Sequence, residues 1–361
     1  MERNKQSSYM QWAKTASQAK YNLASSGVMH YPLKDLGVSI EELEISGPTI
    51  YGYEPLKKAL ADKCGVAEDC IATAVGTSMA NHLVLAGLLE EGDEVLIEQP
   101  TYEPLLAVAR YLKASIRRFP REFDQGFRIV PDEIRKCMTS KTKLIVITNL
   151  HNPTGVLTDH ETMREVSEIA KESAAKVLVD EVYLECLYPE AGNKLSAFHL
   201  GNHFVTTSSL TKAYGLSGLR CGWILAKPDL IRKFQYLNDL FYATPPHSAE
   251  LLSVIALQEL PQISERGKHL LDTNRALFEK ILDSVNYFLD LVNPQYGTII
   301  FPRLRSGNID RLNELLRTEY DTSVVPGSFF EAPDHFRIGL GGASENLQQG
   351  LKNLTMALKR L

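Results

Sequence analysis

Between residues 71 and 209, short apolar runs alternate with longer stretches whose apolar residues recur at helical spacing. "IATAV" (71–75) leads into "GTSMANHLVLAGLLEEG", and "DEVLIEQP" leads into "PLLAVARYLKA". "TKLIVITNL" (142–150) passes through "HNPTG" to "TDHETMREVSEIAKES", which reads as a helix with an aspartate or threonine cap. "KVLVDEVY" and "NHFVTTSS" close the series. A strand that is apolar at nearly every position must be covered on both faces. In a chain that alternates strand and helix, that means a parallel sheet between layers of helices. The fold class is α/β with a mostly parallel sheet.

From about residue 227 the pattern turns helical, and the last seventy residues mix short strands ("YGTIIFPRL", "TSVVPG", "HFRIGLG") with a closing helix, a compact α+β appendage. The division expected is an N-terminal segment over 1–45 belonging to the small domain, a large domain over 46–245, and linking helices with a small domain over 246–361. The 361 residues suit such a pair of domains. A net charge of −5 gives no electrostatic case for nucleic acid or an anionic membrane. No apolar run reaches the length of a membrane span, and the polar N-terminus carries no signal-peptide core. Five dispersed cysteines without CxxC spacing read as reduced thiols in a cytoplasmic protein. The histidines lack ligand spacing, so no metal is assigned.

In open α/β sheets ligands sit beyond the carboxyl ends of the strands. At those ends stand Gly76, Thr77 and Ser78, then Tyr102, Asn152, Asp180 with Tyr183, and finally Ser208, Ser209 and Lys212. Singly, each has an ordinary reading: a helix cap, a proline-glycine turn, an exposed strand terminus, a solvated lysine. Together at one rim they meet one chemical need, a cofactor bearing an aldehyde, a phosphate and a basic ring nitrogen. A lysine forms a Schiff base with an aldehyde and acts as a base once displaced. A carboxylate keeps a pyridine nitrogen protonated. Helix N-terminal amides, hydroxyls and an arginine suit a phosphate dianion.

The sequence resembles the class I/II aminotransferases, fold-type I enzymes that depend on pyridoxal phosphate. The resemblance rests on "YGYEPLKKALADKCGV", "NLHNPTG", "VLVDEVY", "SSLTKAYGLSGLRCGW", "VVPGSFF" and "FRIGLGG". It implies Lys212 as the Schiff-base lysine, Asp180 on the ring nitrogen, Asn152 and Tyr183 on the ring hydroxyl, and Tyr102 against the ring face. Gly76 with the amides of Thr77 and Ser78, together with Ser209 and Arg220, would hold the phosphate. Arg337 would fork onto the substrate α-carboxylate, as a guanidinium does better than an ammonium. Gly27 matches an N-terminal glycine segment near the substrate.

The resemblance further implies amino-group transfer between an L-amino acid and a 2-oxo acid, in a homodimer. A β-eliminating carbon–sulfur lyase is the alternative on the same site. The tyrosine that many relatives extend to the partner subunit's phosphate falls, counting back from Gly52, on Gly47, with Tyr51 or Tyr53 as substitutes. Arg117, Arg118 and Arg121 in "SIRRFPRE" are expected away from the pocket.

Overall fold

The structure, a computed structural model of the single chain, describes residues 5–191 and 196–361, without the side chains of 188–191. The chain opens with helix α1 (Ser8–Thr15) and strand β1 (Tyr21–Asn22), then enters helix α2 (Glu54–Cys64). The alternating region comes next as β2 (Ile71–Val75), α3 (Gly76–Leu88), β3 (Glu94–Gln99), α4 (Glu103–Tyr111), β4 (Ser115–Pro120), α5 (Pro131–Cys137), β5 (Thr142–Thr148), α6 (His160–Glu172), β6 (Lys176–Asp180), β7 (Phe204–Ser209) and β8 (Cys221–Leu225). Then come α7 (Pro228–Asn238), α8 (His247–Gln258) and the long α9 (Leu260–Val285). The last part holds the short strands β9 (Leu289–Asp290), β10 (Ile299–Ile300) and β11 (Arg303–Leu304), then α10 (Ile309–Tyr320), β12 (Thr322–Ser323), β13 (Val325–Pro326), β14 (Phe336–Gly339) and α11 (Ser344–Leu358).

Strands β2 to β8 form one seven-stranded sheet in the order β2-β8-β7-β6-β5-β3-β4. All neighbours are parallel except those of β8, which runs antiparallel to both β2 and β7. The period of two along each strand divides the core between the two faces. Val95, Ile97, Leu144, Val146 and Leu178 pack with α3 and α4 on one side. Leu96, Ile145, Ile147, Val177 and Val179 pack with Met163, Val166 and Ile169 of α6 on the other. Helix α6 starts where the Asp159 carboxylate accepts from Thr162 N at 2.8 Å, so of the two cap candidates the aspartate serves.

Helices α9 to α11 and strands β10 and β14 share a separate cluster that includes Leu271, Phe278, Leu312, Ile338 and Leu351. Leu23 and Val28 of the N-terminal segment are buried in it. Strand β1 pairs in parallel with β12, matching Tyr21 to Thr322, and Gly339 N donates to Leu23 O at 2.7 Å. The segment around Gly27 is thus held by the last part of the chain.

The tightest approach in the large sheet is that of β8 to the N-terminus of α3. A Cβ at Gly222 would stand 2.5 Å from the Gly76 carbonyl carbon and 2.7 Å from its Cα, backbone atoms that cannot swing aside. Gly76 has φ +76°, a conformation that favours glycine. Gly222→Ala is therefore expected to cost about 1–3 kcal/mol through overpacking, measured as a fall in the urea midpoint. An unchanged midpoint would mean that strand and helix part freely.

Candidate active site

The carboxyl ends of β2, β7, β6, β5 and β3 lie on one rim, and β8, running the other way, begins there. That places the first turn of α3 (Gly76, Thr77, Ser78), the N-cap of α4 (Tyr102), Asn152, Asp180, Tyr183, Ser209, Lys212 and Arg220 around one space. Arg337 comes from β14 and Gly27 from the N-terminal segment.

Asp180 is buried, and its carboxylate accepts from Asn81 Nδ2 at 2.7 Å and from Val182 N at 3.1 Å. Asn81 is oriented in turn by Thr207, whose hydroxyl donates to Asn81 Oδ1 at 2.6 Å. Burial still dominates and pushes Asp180 up to about 6, with the two hydrogen bonds and Lys212 pulling it back. Lys212 moves the other way. Burial, then Arg337 and Arg220, bring its amine down to about 8, against the pull of Asp180. Lys212 Nζ donates to Ser26 Oγ at 2.9 Å, and Val28 N donates to Lys212 O at 2.8 Å. A Cβ on Gly27 would sit 3.3 Å from the Lys212 side chain.

Thr77 Oγ1 donates to Ser209 Oγ at 2.8 Å, tying the start of α3 to the end of β7. Arg220, exposed in the single chain, donates from Nη2 to Val75 O at 3.2 Å, and any side chain at Gly76 would meet its guanidinium. Ser78 is exposed on the same first turn. The opening of α3 thus presents backbone amides, two hydroxyls and a guanidinium on one side.

Arg337 is fully buried. It donates from Nη1 to Asn152 Oδ1 at 2.9 Å, and from Nη2 to the Tyr9 hydroxyl at 2.8 Å and to Ala24 O at 3.3 Å. Its guanidinium lies 5.0 Å from the Phe330 ring centre and 5.5 Å from that of Tyr9. With Asn152 Oδ1 engaged, the Asn152 amide nitrogen is left to donate. Tyr102 packs edge-on to Tyr9 with ring centres 5.6 Å apart. Burial raises the hydroxyls of both Tyr102 and Tyr183, which stay protonated donors.

Beneath the rim, Arg121 and Glu98 are both fully buried and paired at 2.8 Å. Glu98 accepts from the Thr148 amide and hydroxyl at 2.7 and 2.6 Å, and the Thr148 hydroxyl accepts from Asn152 N at 2.9 Å. Arg121 therefore supports the turn that carries Asn152. Arg117 and Arg118 lie on the sheet-edge strand β4. Sequence reasoning missed Asn81, Ser26, Tyr9 and this support. Of these only Asn81 left a trace, one helical turn beyond Thr77 and on its face. At position 47 a side chain would run into the His247 ring, while Tyr51 donates to Asp239 at 2.8 Å and Tyr53 packs on His247.

A buried carboxylate, an amine of lowered basicity and an anion-binding helix start form a donor set that fits pyridoxal phosphate. Its pyridine nitrogen, aldehyde and phosphate each find a chemically matched group. Among the described residues no cluster of three or more His, Cys, Asp or Glu could hold a metal ion, and no helix is long and apolar enough to cross a membrane.

A fold and site of this kind define an α/β enzyme built around pyridoxal phosphate. The family model for aminotransferase class I and II matches residues 40–354, and the chain belongs to that family of pyridoxal-phosphate-dependent transaminases. It is 27% identical to capreomycidine synthase from Streptomyces vinaceus over 94% of this chain and 90% of the relative. It is 25% identical to a probable aspartate/prephenate aminotransferase from Aquifex aeolicus over 86% and 82%. The crystal structure of a PLP-dependent aminotransferase from Streptococcus suis superposes with a TM-score of 0.92 at 26% identity, covering 99% of both chains.

Asp180 binds its proton more tightly in the folded chain than in the unfolded one. Stability of the cofactor-free protein therefore falls as pH rises from about 4 to about 6, by on the order of 3 kcal/mol from this group. Lys212 acts in the opposite sense, and its neutral form in the folded chain adds stability as pH rises from about 8 to about 10.5. Asp180→Asn is expected to remove the acid-side contribution alone, read as the difference between variant and wild-type urea midpoints across pH 4–6. Parallel profiles would show that Asp180 is not protonated in that range.

Proposed function

We propose that this chain transfers an amino group between an L-amino acid and a 2-oxo acid, with Lys212 as the covalent anchor and proton carrier. The observation that carries this reading is the convergence on one rim of Lys212, whose Nζ donates to Ser26 Oγ at 2.9 Å, with the buried Asp180 carboxylate and the fully buried Arg337. Burial and two arginines lower the basicity of that amine, which favours its neutral form as nucleophile and base. When bound, pyridoxal phosphate supplies a carbonyl carbon for amine exchange and a ring that takes up the electron pair from the substrate Cα.

The residues divide the remaining work. Asp180, held by Asn81, keeps a proton on the ring nitrogen. Asn152 Nδ2 and the Tyr183 hydroxyl donate to the ring oxygen, and Tyr102 covers one face. The Thr77 and Ser78 amides beside Gly76, with Ser209 and Arg220, hold the phosphate. Arg337 binds the substrate α-carboxylate and so fixes the Cα–H bond within range of Lys212, which takes that proton. Gly27 leaves room beside the lysine stem.

Similarity to capreomycidine synthase supports a second reading in which the same site serves a reaction other than transamination. Five free cysteines, three of them buried, suit a reducing compartment such as the cytoplasm. Tyr51 and Tyr236 are exposed with ring centres 5.7 Å apart, and their near neighbours in sequence Ile50, Leu240 and Phe241 are exposed too, an apolar surface that suits a second copy of the chain. Sedimentation of the purified protein is expected to give twice the chain mass, and Leu240→Glu to shift it toward the monomer. A wild-type monomer at micromolar concentration would remove the dimer.

The deciding experiment mixes the purified holoenzyme with a panel of amino acids while recording its absorbance. A donor should bleach the visible band with release of one equivalent of 2-oxo acid, and a second oxo acid should restore it. Release of ammonia with a Cβ leaving group while the band persists would establish the lyase instead. Lys212→Ala is expected to abolish the visible band and lower turnover by a hundredfold or more. Arg337→Ala is expected to raise KM for the donor by roughly a hundredfold with cofactor affinity kept.

A further inference from the structure

Helix α1 brings a residue to the site that neither the motifs nor the roles of the other side chains account for. Tyr9 is buried, and its hydroxyl stands 2.8 Å from Arg337 Nη2. Of the five guanidinium hydrogens of Arg337, three are committed, to Asn152 Oδ1, the Tyr9 oxygen and Ala24 O. That leaves one hydrogen on Nη1 and the Nε hydrogen, and Nε is buried with no partner among the described residues. The Tyr9 oxygen serves Arg337 as an acceptor, and its own proton makes no hydrogen bond among those described. The nearest acceptor, Asn152 Oδ1, is already engaged by Arg337. The space beside Arg337 is therefore rich in unpaired donors, which suits an acceptor-only anion.

We infer that Tyr9 is a substrate-binding residue whose hydroxyl donates to the carboxylate held by Arg337, so that the carboxylate is recognised by the tyrosine as well as by the arginine. The inference rests on the assignment of Arg337 to the substrate carboxylate. It is favoured by how firmly Tyr9 is placed. Ser7 caps α1 by accepting from Met10 N at 3.1 Å and donates to Glu103 at the start of α4, while the Tyr102 hydroxyl reaches Met10 Sδ at 3.7 Å. The Tyr9 ring is wedged against Tyr102, Phe329 and Phe330, with centres 5.6 to 5.8 Å away. A donor fixed in this way binds without first losing rotamer freedom.

The aromatic surroundings make phenyl-bearing probes suitable, and calorimetric titration of the holoenzyme with 3-phenylpropionate and 2-phenylethylamine separates carboxylate from ring recognition. Tyr9→Phe keeps the ring and removes the donor. It is expected to weaken 3-phenylpropionate binding about ten- to a hundredfold, and to leave the amine, which has no carboxylate, within about twofold. An unchanged or tighter acid, an equal loss for both probes, or no binding of the acid to the wild type would each overturn the inference. Arg337→Ala provides the separation from the underlying assignment. If that variant loses the acid while Tyr9→Phe does not, only the role of Tyr9 falls. If Arg337→Ala also binds the acid normally, the carboxylate assignment falls with it. Neither probe depends on the reaction at the Cα.

Discussion

The site depends on two opposite charges that share one rim without satisfying one another. Burial raises the basicity of the Asp180 carboxylate and lowers that of the Lys212 amine, and their mutual attraction does not reverse either shift. Each is instead held by neutral partners, Asn81 for the aspartate and Ser26 for the lysine. Both groups are thereby kept near the point at which a proton can be gained or lost. A surface ion pair of the same residues would be firmly ionised and chemically idle.

The scaffold keeps that arrangement through close backbone packing rather than additional charge. Strand β8 reverses direction at the rim and presses Gly222 against Gly76, which puts Arg220 beside the opening of α3. Thr77 and Ser209 link the same helix start to β7. Below, the buried pair of Arg121 and Glu98 fixes Thr148, and through it the turn of Asn152, which in turn orients Arg337. Hydrogen bonds, joined through the Asn152 residue itself, thus link the buried Arg121–Glu98 pair to the Arg337 guanidinium.

Much of this was legible in the residues. Strands such as "LIVIT" and "VLV", apolar on both faces, announced a covered parallel sheet, and polar groups just past their ends marked the rim. What stayed hidden has physical causes. The direction of β8 is set by its neighbours, since "CGWIL" reads the same whether parallel or antiparallel. Arg121 looks like any surface arginine in "SIRRFPRE", and only tertiary packing reveals Glu98 beside it. Tyr9 lies in a short helix of weak pattern, and its partner is 328 residues away in sequence. No local signal can encode such a contact.

That separation bears on how the molecule is made. Strand β1 finds its neighbour in β12, and Leu23 and Val28 find their packing among residues contributed by α9 to α11. During synthesis the alternating middle of the chain can collapse as it emerges, because its strands pair with segments already exported. Helix α1 can lean on α4 at that stage, and the Ser26–Val28 segment on the Lys212 loop. Strand β1, Leu23 and the Val28 side chain must wait for the final stretch to leave the ribosome. The two ends then close together, and the Arg337 side of the rim is assembled last. A chain released early would carry the sheet and the lysine but lack Arg337, Phe329 and Phe330, the groups against which Tyr9 is seated.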